Sequence, residues 1–334
     1  GQIDLLNDAR VRAIAEFPVR TILTQGIWAS FSDSDSTPQF HPGLLAYLAE
    51  RLDLPSLTQL GMSNDFTVQG FNQFVWPLRQ YAWPLPKSET AFGGTVHDWY
   101  ADMAWMISRL DPDNPGSLRL AIKGGHNDEM HNQNDVGSFM VVHNGRVVLT
   151  DPGRGRYSKS YFGPERYENI MASSRGHSVP VVNGHAQAEG AAHAARVLDH
   201  GHGAGQDRLR LEMAAAYPAA AGLKTLERDV VFDRAVPGGR IELTDSFSFA
   251  DGGGQFVSAL ITPLAVQVGS ATVRIGDDNG GVVVGFDPAI VQVDTERHPG
   301  VEKQYAPSVD LTRVLFTAAG QAATGKVVLE ISPF

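Results

Sequence analysis

From Val136 onward the chain is a succession of short apolar runs cut by glycine-bearing turns, and this rhythm limits the fold more than any other feature of the sequence. Runs rich in Val, Ile, Thr and Phe recur at residues 136–142, 146–150, 208–213, 229–233, 241–249, 256–262, 271–275, 281–286, 311–317 and 326–331. Branched and aromatic side chains suit a pleated, half-buried surface. Many such runs at hairpin-like spacing, with almost no helical period, predict a large antiparallel β-sandwich. The stretch from Trp99 to Leu110 fits both periods. Met103, Met106, Ile107 and Leu110 suit a helix, Met103, Trp105 and Ile107 a strand, and it is read as strand.

Upstream the pattern is helical. Ile3, Leu6, Ala9, Ala13 and Phe17 fall roughly on one face before Pro18 stops the pattern. His41-Pro42 opens a second helix striped by Leu44, Leu45, Leu48 and Leu52 and closed by Pro55. Residues 66–87 are aromatic and proline-rich without a period and read as a packed crossover, with a boundary near Ala91. The expected organisation is a helical segment over 1–62, a crossover over 63–94 and a β-sandwich over 95–334, since 334 residues exceed one ordinary core.

Composition narrows the chemistry. With no cysteine in the chain, disulfides and thiolates are excluded, and any metal must use imidazole, carboxylate or amide oxygen. A net charge of −10 argues against a broad nucleic-acid-binding face. No apolar run is long enough to cross a bilayer. The start Gly1-Gln-Ile-Asp4 has neither the basic residues nor the apolar core of a targeting segment, and lacks an initiator methionine.

Most of the candidate chemistry lies between Lys123 and Gly184. Lys123-Gly-Gly-His-Asn-Asp-Glu-Met-His-Asn-Gln-Asn-Asp135 is followed by Asp151-Pro-Gly153 and by His177-Ser-Val-Pro-Val-Val-Asn-Gly184. Asn144-Gly145 is a strong signal for a two-residue type I′ hairpin turn. Such a turn pairs His143 with Arg146, Val142 with Val147 and Ser138 with Asp151, bringing the residues just after His131 beside Asp151 at one sheet rim. Gly137 is placed to bulge the first strand. A histidine there can act as acid or base near neutral pH. Asp151 and His177 are ligand types that zinc accepts, with Gln133 or Asp135 as the third.

Blander readings compete. Asp151 in Asp-Pro-Gly suits a turn that caps its own backbone, and His143 beside Asn-Gly reads as a turn residue. His185, His193, His200 and His202 lie in Ala/Gly-rich stretches and read as solvated, without a role. Arg154, Arg156, Lys159, Arg166 and Arg175 oppose only Asp151, Glu165 and Glu168 between residues 151 and 177. A local positive pocket in an acidic chain is what an acidic sugar requires.

These strings, together with Arg166-Tyr-Glu168, closely resemble the heparinase II/III-like family of polysaccharide lyases. The likeness runs from about residue 95 onward, and Ala29-Ser-Phe-Ser-Asp33 resembles the last turns of that family's (α/α) toroid. A full member carries a long toroid upstream, so the chain resembles a C-terminal portion. The resemblance implies cleavage of uronic-acid-containing glycans by β-elimination to 4,5-unsaturated products. It maps His131 to the substrate-facing histidine and Gln133, Asp151 and His177 to one structural divalent metal. Zinc is usual there, but Gln133 offers an amide oxygen in place of imidazole, which brings calcium or magnesium into range. It makes Tyr161 and Tyr167 candidate acid/base groups, with Tyr157 behind them, and the family's principal tyrosine belongs to the toroid. Asn127, Arg154 and Arg156 are candidates for gripping the acidic polysaccharide, for which Arg offers a bidentate fit. The resemblance also implies a bacterial source and a secreted or periplasmic setting, and leaves a homo-oligomer open.

Two other function classes stand beside the lyase. One is a non-catalytic carbohydrate-binding or scaffold domain. The other is a metal-dependent hydrolase, with Glu129 the nearby carboxylate for activating water.

Overall fold

The computed structural model describes residues 5–38, 40–60, 75–85 and 94–334. The helical part holds α1 (Ala9–Arg20), α2 (Pro42–Leu52), the single turn α3 (Leu57–Leu60) and α4 (Val75–Ala82), with the short strands β1 (Ile22–Thr24) and β2 (Ile27–Trp28) between α1 and α2. Asp8 caps α1 by accepting from the Arg10 amide, and the His41 ring caps α2 by accepting from the Leu44 amide, 3.2 Å away. The expected crossover lies mostly outside the described residues, as does Ala91, and its described part is α4.

Two helical expectations are corrected. Helix α1 runs through Pro18 to Arg20, because a proline near a C-terminus forfeits only the bond to the carbonyl four residues back. The α1 stripe has the right period and the wrong phase. Leu6 of the expected stripe, ahead of the helix, packs on the helical core and Ile3 lies outside the described residues, but within α1 Ala15 is buried and Val19 packs on that core, whereas Ala9, Ala13 and Phe17 are exposed. Alanine gains little from burial, so its spacing says little about which face turns inward. In α2, Leu45 and Leu52 are buried and Leu44 is exposed.

The β part begins with β3 (His97–Tyr100), β4 (Trp105–Arg109), β5 (Arg119–Lys123), β6 (His126–Asn127), β7 (Phe139–His143) and β8 (Arg146–Leu149). It continues through β9 (Val181–Val182), β10 (Gly190–Ala194), β11 (Arg196–His202), β12 (Gln206–Glu212), β13 (Leu223–Asp233), β14 (Arg240–Phe249) and β15 (Phe256–Thr262). It ends with β16 (Val266–Val268), β17 (Thr272–Asp277), β18 (Gly280–Gly285), β19 (Val291–Val301), β20 (Val309–Ala318) and β21 (Thr324–Pro333). An eight-stranded sheet, ordered β11-β12-β13-β14-β21-β18-β17-β16, faces a four-stranded sheet β19-β20-β15-β9 and a five-stranded sheet β3-β4-β5-β7-β8. Neighbouring strands are antiparallel, and side chains of all three sheets share one core. The expected large antiparallel sandwich with a preceding helical segment is the fold, and the stretch read as strand from Trp99 to Leu110 holds the end of β3 and all of β4.

Alternation along the strands builds the layers. Strands β13 and β14 alternate buried and partly exposed positions, the pattern of a sheet with one face on a core. Strands β4 and β5 are buried at every position. Their Met106, Leu120 and Ile122 point into the main core, while Trp105, Ile107 and Ala121 point the other way and meet Leu23 and Phe31 of the N-terminal segment. The five-stranded sheet is therefore a middle layer.

The β7–β8 hairpin turns at Asn144 (φ 50°) and Gly145 (φ 67°), as a type I′ turn requires. His143 faces Arg146 and Val142 faces Val147, but a one-residue shift then places Val141 opposite Leu149. The bulge falls on β8 and not at Gly137, so the ladder does not carry Ser138 to Asp151 in the expected register.

Candidate functional site

The chain between β5 and β7 folds back on itself with positive φ at Gly125, His131 and Gly137. The φ of 86° at Gly137 favours glycine, and a Cβ there would also displace the end of the Met213 side chain, whose sulfur would lie 2.3 Å away. Gln187 grips the segment: its Nε2 donates to the Val136 carbonyl at 2.7 Å and its Oε1 accepts from the Val136 amide at 2.9 Å. The Ser174 hydroxyl donates to the Asn134 carbonyl at 2.6 Å. Gln133, Asn134 and Asp135 are thereby buried beside the 170s segment.

There, ligand atoms of Asp135, Asp151 and His177 lie within 4.8 Å of one another, all three residues buried. Asp151 Oδ1 accepts from the Gly153 amide at 3.0 Å, so it makes its own turn and also faces the cluster through Oδ2. Asp135 Oδ1 accepts from Lys123 Nζ at 2.7 Å, and its Oδ2 has no hydrogen-bond partner. His177 Nε2 lies 3.1 Å from the Met171 carbonyl and Nδ1 3.1 Å from Asp151 Oδ2. Both ring nitrogens thus face groups that only accept. Either the ring is doubly protonated, or Nδ1 presents a lone pair that shares a cation with the carboxylate. Burial opposes the imidazolium, but Asp151 and Asp135 outweigh it and hold the His177 pKa above its ordinary value. Burial raises the Asp135 pKa against the pull of Lys123 and His177. A pocket with two carboxylates, an orphaned oxygen and a carbonyl-anchored imidazole fits a divalent cation.

A second cluster assembles on Asp33, whose side chain is 1% exposed. Asp33 Oδ1 accepts from the Tyr161 hydroxyl at 2.6 Å and from Gln133 Nε2 at 3.1 Å. Oδ2 lies 3.3 Å from His131 Nδ1 and accepts from Tyr157 at 3.2 Å and Arg166 Nη2 at 3.2 Å. An ionised carboxylate only accepts, so His131 donates through Nδ1 and its Nε2 is the free position. The Ser32 hydroxyl fixes the His131 backbone, donating to its carbonyl at 2.8 Å. The His131 side chain is half exposed, and its ring is parallel to that of Tyr157 with centroids 6.4 Å apart. Burial and then the Asp33 carboxylate raise the pKa of both Tyr157 and Tyr161, so both stay protonated near neutrality.

Not every candidate comes together. Gln133 sits between the clusters, its Nε2 also donating to the Gly153 carbonyl at 2.9 Å while its buried Oε1 has no partner. Tyr161 is fully buried, and the Tyr167 hydroxyl accepts from Asn132 Nδ2 at 3.1 Å. Asn127 is buried with its amide donating to Gln187 Oε1 and the Ala188 carbonyl, so it braces β6 and faces no solvent. Arg154 pairs with Asp35 at 2.5 Å, and the well-exposed Arg156 pairs with Glu302 at 3.1 Å. Glu129 is bound to Lys123 at 3.2 Å. Gln187 was not singled out from sequence, and Asp33 was noted only as the end of the toroid-like string Ala29-Ser-Phe-Ser-Asp33, with no role given to its carboxylate.

The fold and these clusters define a β-sandwich domain whose rim gathers imidazole, carboxylate and phenol groups. Residues 94–330 match the sequence model of the family described as heparinase II/III-like, C-terminal, and the chain belongs to that family. Compared with curated protein sequences, it finds no match. Among solved structures it is similar to heparan sulfate lyase HepC from Pedobacter heparinus, with TM-score 0.69, 16% identity, and 96% of this chain on 46% of that one. A mutant of the Pedobacter heparinus enzyme gives 0.68 at 16% identity over 97% and 46%, and a heparinase III gives 0.66 at 16% over 97% and 48%. At this identity the likeness concerns the fold. The chain spans under half the length of these neighbours.

Proposed function

We propose that this chain is the C-terminal, rim-bearing part of a polysaccharide lyase that cleaves uronic-acid-containing glycans by β-elimination. The observation that carries the reading is the exposed His131 imidazole held through Nδ1 by the buried Asp33, with the Tyr157 hydroxyl on the same carboxylate. In the reaction a base takes the C5 proton, its electron pair becomes the C4–C5 double bond, and the C4–O bond breaks onto a protonated leaving oxygen. His131 Nε2 is the proton acceptor, and Asp33 stabilises the imidazolium that forms. Tyr157, partly exposed and held protonated, is the donor this domain offers to the leaving oxygen, with Tyr161 packed against it at 5.4 Å between ring centroids. Arg154 and Arg156 supply positive charge for the sugar carboxylate.

Asp135, Asp151 and His177 would hold the divalent ion, with Gln133 joined to the neighbouring Asp151-Pro-Gly153 turn through the Gly153 carbonyl. The ion would supply cohesion between the 133–135, 151–153 and 170s segments. Its oxygen-rich donor set suits calcium or magnesium as well as zinc.

The test is ultraviolet absorbance from unsaturated uronate when the protein is incubated with heparin, heparan sulfate, hyaluronan or alginate. A signal that disappears in His131→Ala supports the lyase. Binding without absorbance supports a carbohydrate-binding role instead.

A further inference from the structure

Away from the Asp33 rim, three histidines and an aspartate meet where two sheets come edge to edge. His97 lies on β3, at the edge of the five-stranded sheet, and His200 and His202 lie on β11, at the edge of the eight-stranded sheet. Asp207, on β12, is the direct cross-strand partner of His202. His200 and His202 are two apart on a strand, so both rings project from one face. The sequence reading of these two as solvated holds for His202, whose side chain is 48% exposed, and is corrected for His200. The His200 ring stacks on Trp99 with centroids 4.0 Å apart, and its Nε2 lies 3.0 Å from His97 Nε2.

The hydrogen bonding around His97 leaves one nitrogen without a partner. The His97 side chain is 8% exposed, and its Nδ1 sits 3.3 Å from Asp207 Oδ1 but makes no aligned hydrogen bond. His202 Nδ1 is 2.6 Å from the same Oδ1. Asp207 Oδ2 is held by the Arg234 guanidinium, so Oδ1 is the oxygen turned toward the imidazoles. Ligand atoms of His97, His202 and Asp207 lie within 4.8 Å of one another.

The geometry points to a divalent-cation site, of zinc type, formed by His97 Nδ1, His202 Nδ1 and Asp207 Oδ1, which fastens the edge of the five-stranded sheet to the β11–β12 hairpin. Two imidazole nitrogens and one carboxylate oxygen are a zinc donor set that leaves a fourth position for water. Tetrahedral bonds of about 2.0–2.1 Å put neighbouring donors about 3.3 Å apart. The His97–Asp207 separation already has that value, and the half-exposed His202 ring has room to open to it. His200 is the outer partner: accepting the His97 Nε2 proton, it fixes the tautomer that turns the Nδ1 lone pair toward the ion. The cluster shares no residue with Asp135, Asp151 and His177, so the two centres titrate separately.

The test is zinc stoichiometry by plasma mass spectrometry after chelator treatment and reloading of the full chain, with cobalt(II) absorption as a second readout. The expected result is one zinc equivalent fewer in His202→Ala than in wild type, with loss of the corresponding cobalt bands, while His177→Ala keeps those bands and loses only metal held by the Asp135, Asp151 and His177 cluster. His200→Ala is expected to weaken zinc about 10- to 100-fold without removing a ligand. Circular dichroism confirms that each variant is folded, which the exposure of His202 makes straightforward. Equal zinc content and equal cobalt spectra in wild type and His202→Ala overturn the site.

Discussion

Asp245→Asn isolates the contribution of a buried ion pair to holding the rim. Arg228 on β13 and Asp245 on β14 are cross-strand partners with side chains 0% exposed. The guanidinium donates to both carboxylate oxygens at 2.7 and 2.8 Å, and Ser258 donates to Oδ2 at 2.7 Å. Arg228 Nη1 also donates to the carbonyls of Gly137 and Ser178, at 2.8 and 2.7 Å. Those residues follow Asp135 and His177 closely, so the pair braces the candidate metal ligands from beneath. Asparagine keeps one acceptor and turns an amide N–H toward the other arm of the fork. It leaves an uncompensated buried cation, which costs about 3–5 kcal/mol.

The control is the next residue along the strand. Asp229 points to the opposite face and takes the same fork from Arg208, at 2.8 and 2.5 Å, but with the two side chains 24% and 40% exposed. Solvent screens that pair, so Asp229→Asn is expected to cost about 0.2–1 kcal/mol. Urea titrations followed by far-ultraviolet circular dichroism measure both losses. Replacing the buried pair together, Arg228→Met with Asp245→Leu, removes the charges but orphans the Gly137 and Ser178 carbonyls at about 1–3 kcal/mol each. It should therefore remain destabilised. Equal losses in Asp245→Asn and Asp229→Asn, or a fully restored double variant, refute the argument that burial and the two carbonyls set the cost.

Other outcomes follow from the same geometry. Asp33→Ala should lower lyase activity and stability together, the latter by about 3–5 kcal/mol because Arg166 loses its buried partner, whereas the half-exposed His131→Ala should lower activity with a stability change within about 0.5 kcal/mol. Thermal melts and uronate absorbance on both variants separate the effects. His177→Ala, or treatment with chelator, should lower melting temperature and metal content in step, and unchanged metal content removes the assignment. The Arg146 guanidinium and the Asn279 amide hold the Asp277 carboxyl down to about 2 from its ordinary 3.8. A depressed folded-state pKa gives stability that is present above pH 3.8 and lost as pH falls through about 2. An NMR titration should show the Asp277 midpoint rising in Arg146→Ala and, by screening, in high salt.

What the sequence made legible follows what its residues bury. Strands β13, β14 and β20 show in their Val, Ile, Leu and Phe alternation because that apolar face is what holds them. Strand β5 was missed because Arg119 and Lys123 bound a run of only three apolar residues, yet both ends are buried. Arg119 donates to the carbonyls of Asp111, Pro112, Asn114 and Pro115, and Lys123 meets Asp135 and Glu129, contacts that no local pattern announces. Strand β11 was missed for the opposite reason, as an edge strand with Gly201 and two histidines and little core to fill. Within the site, His131, Asp151 and His177 stood out by residue type. Asp33 did not, since it acts across 98 residues of chain and its neighbours are serines and aspartates. The His-Gly-His spacing of residues 200–202 was a usable signal once the stretch is taken as strand, because period two puts both rings on one face.

Asp33 is held in place less by its own turn than by the segment that delivers it. Residues 20–32 lie between two cores, and their side chains divide between them. Ile22 and Trp28 join the helical core, with Trp28 Nε1 donating to the Pro18 carbonyl at 2.7 Å. Leu23 and Phe31 pack on the outer face of the five-stranded sheet, where Phe31 meets Trp105 edge-on at 4.9 Å. Burial of such side chains contributes about 1.5–3 kcal/mol each. The buried Arg109 adds polar anchors, donating to the carbonyls of Arg20 and Ile22 and to Asp98 at 2.9 Å. Asp33 therefore reaches His131 from a segment fixed on two sides, and on the proposed reading such a support would hold the imidazole in place without reorganisation when a proton arrives. The dyad belongs to the joint between the helical segment and the sandwich, whereas the Asp135, Asp151 and His177 cluster lies wholly within the sandwich. On the proposed reading chemistry and cohesion divide accordingly: the metal-type cluster would keep the rim folded, and the joint would orient the His131 base.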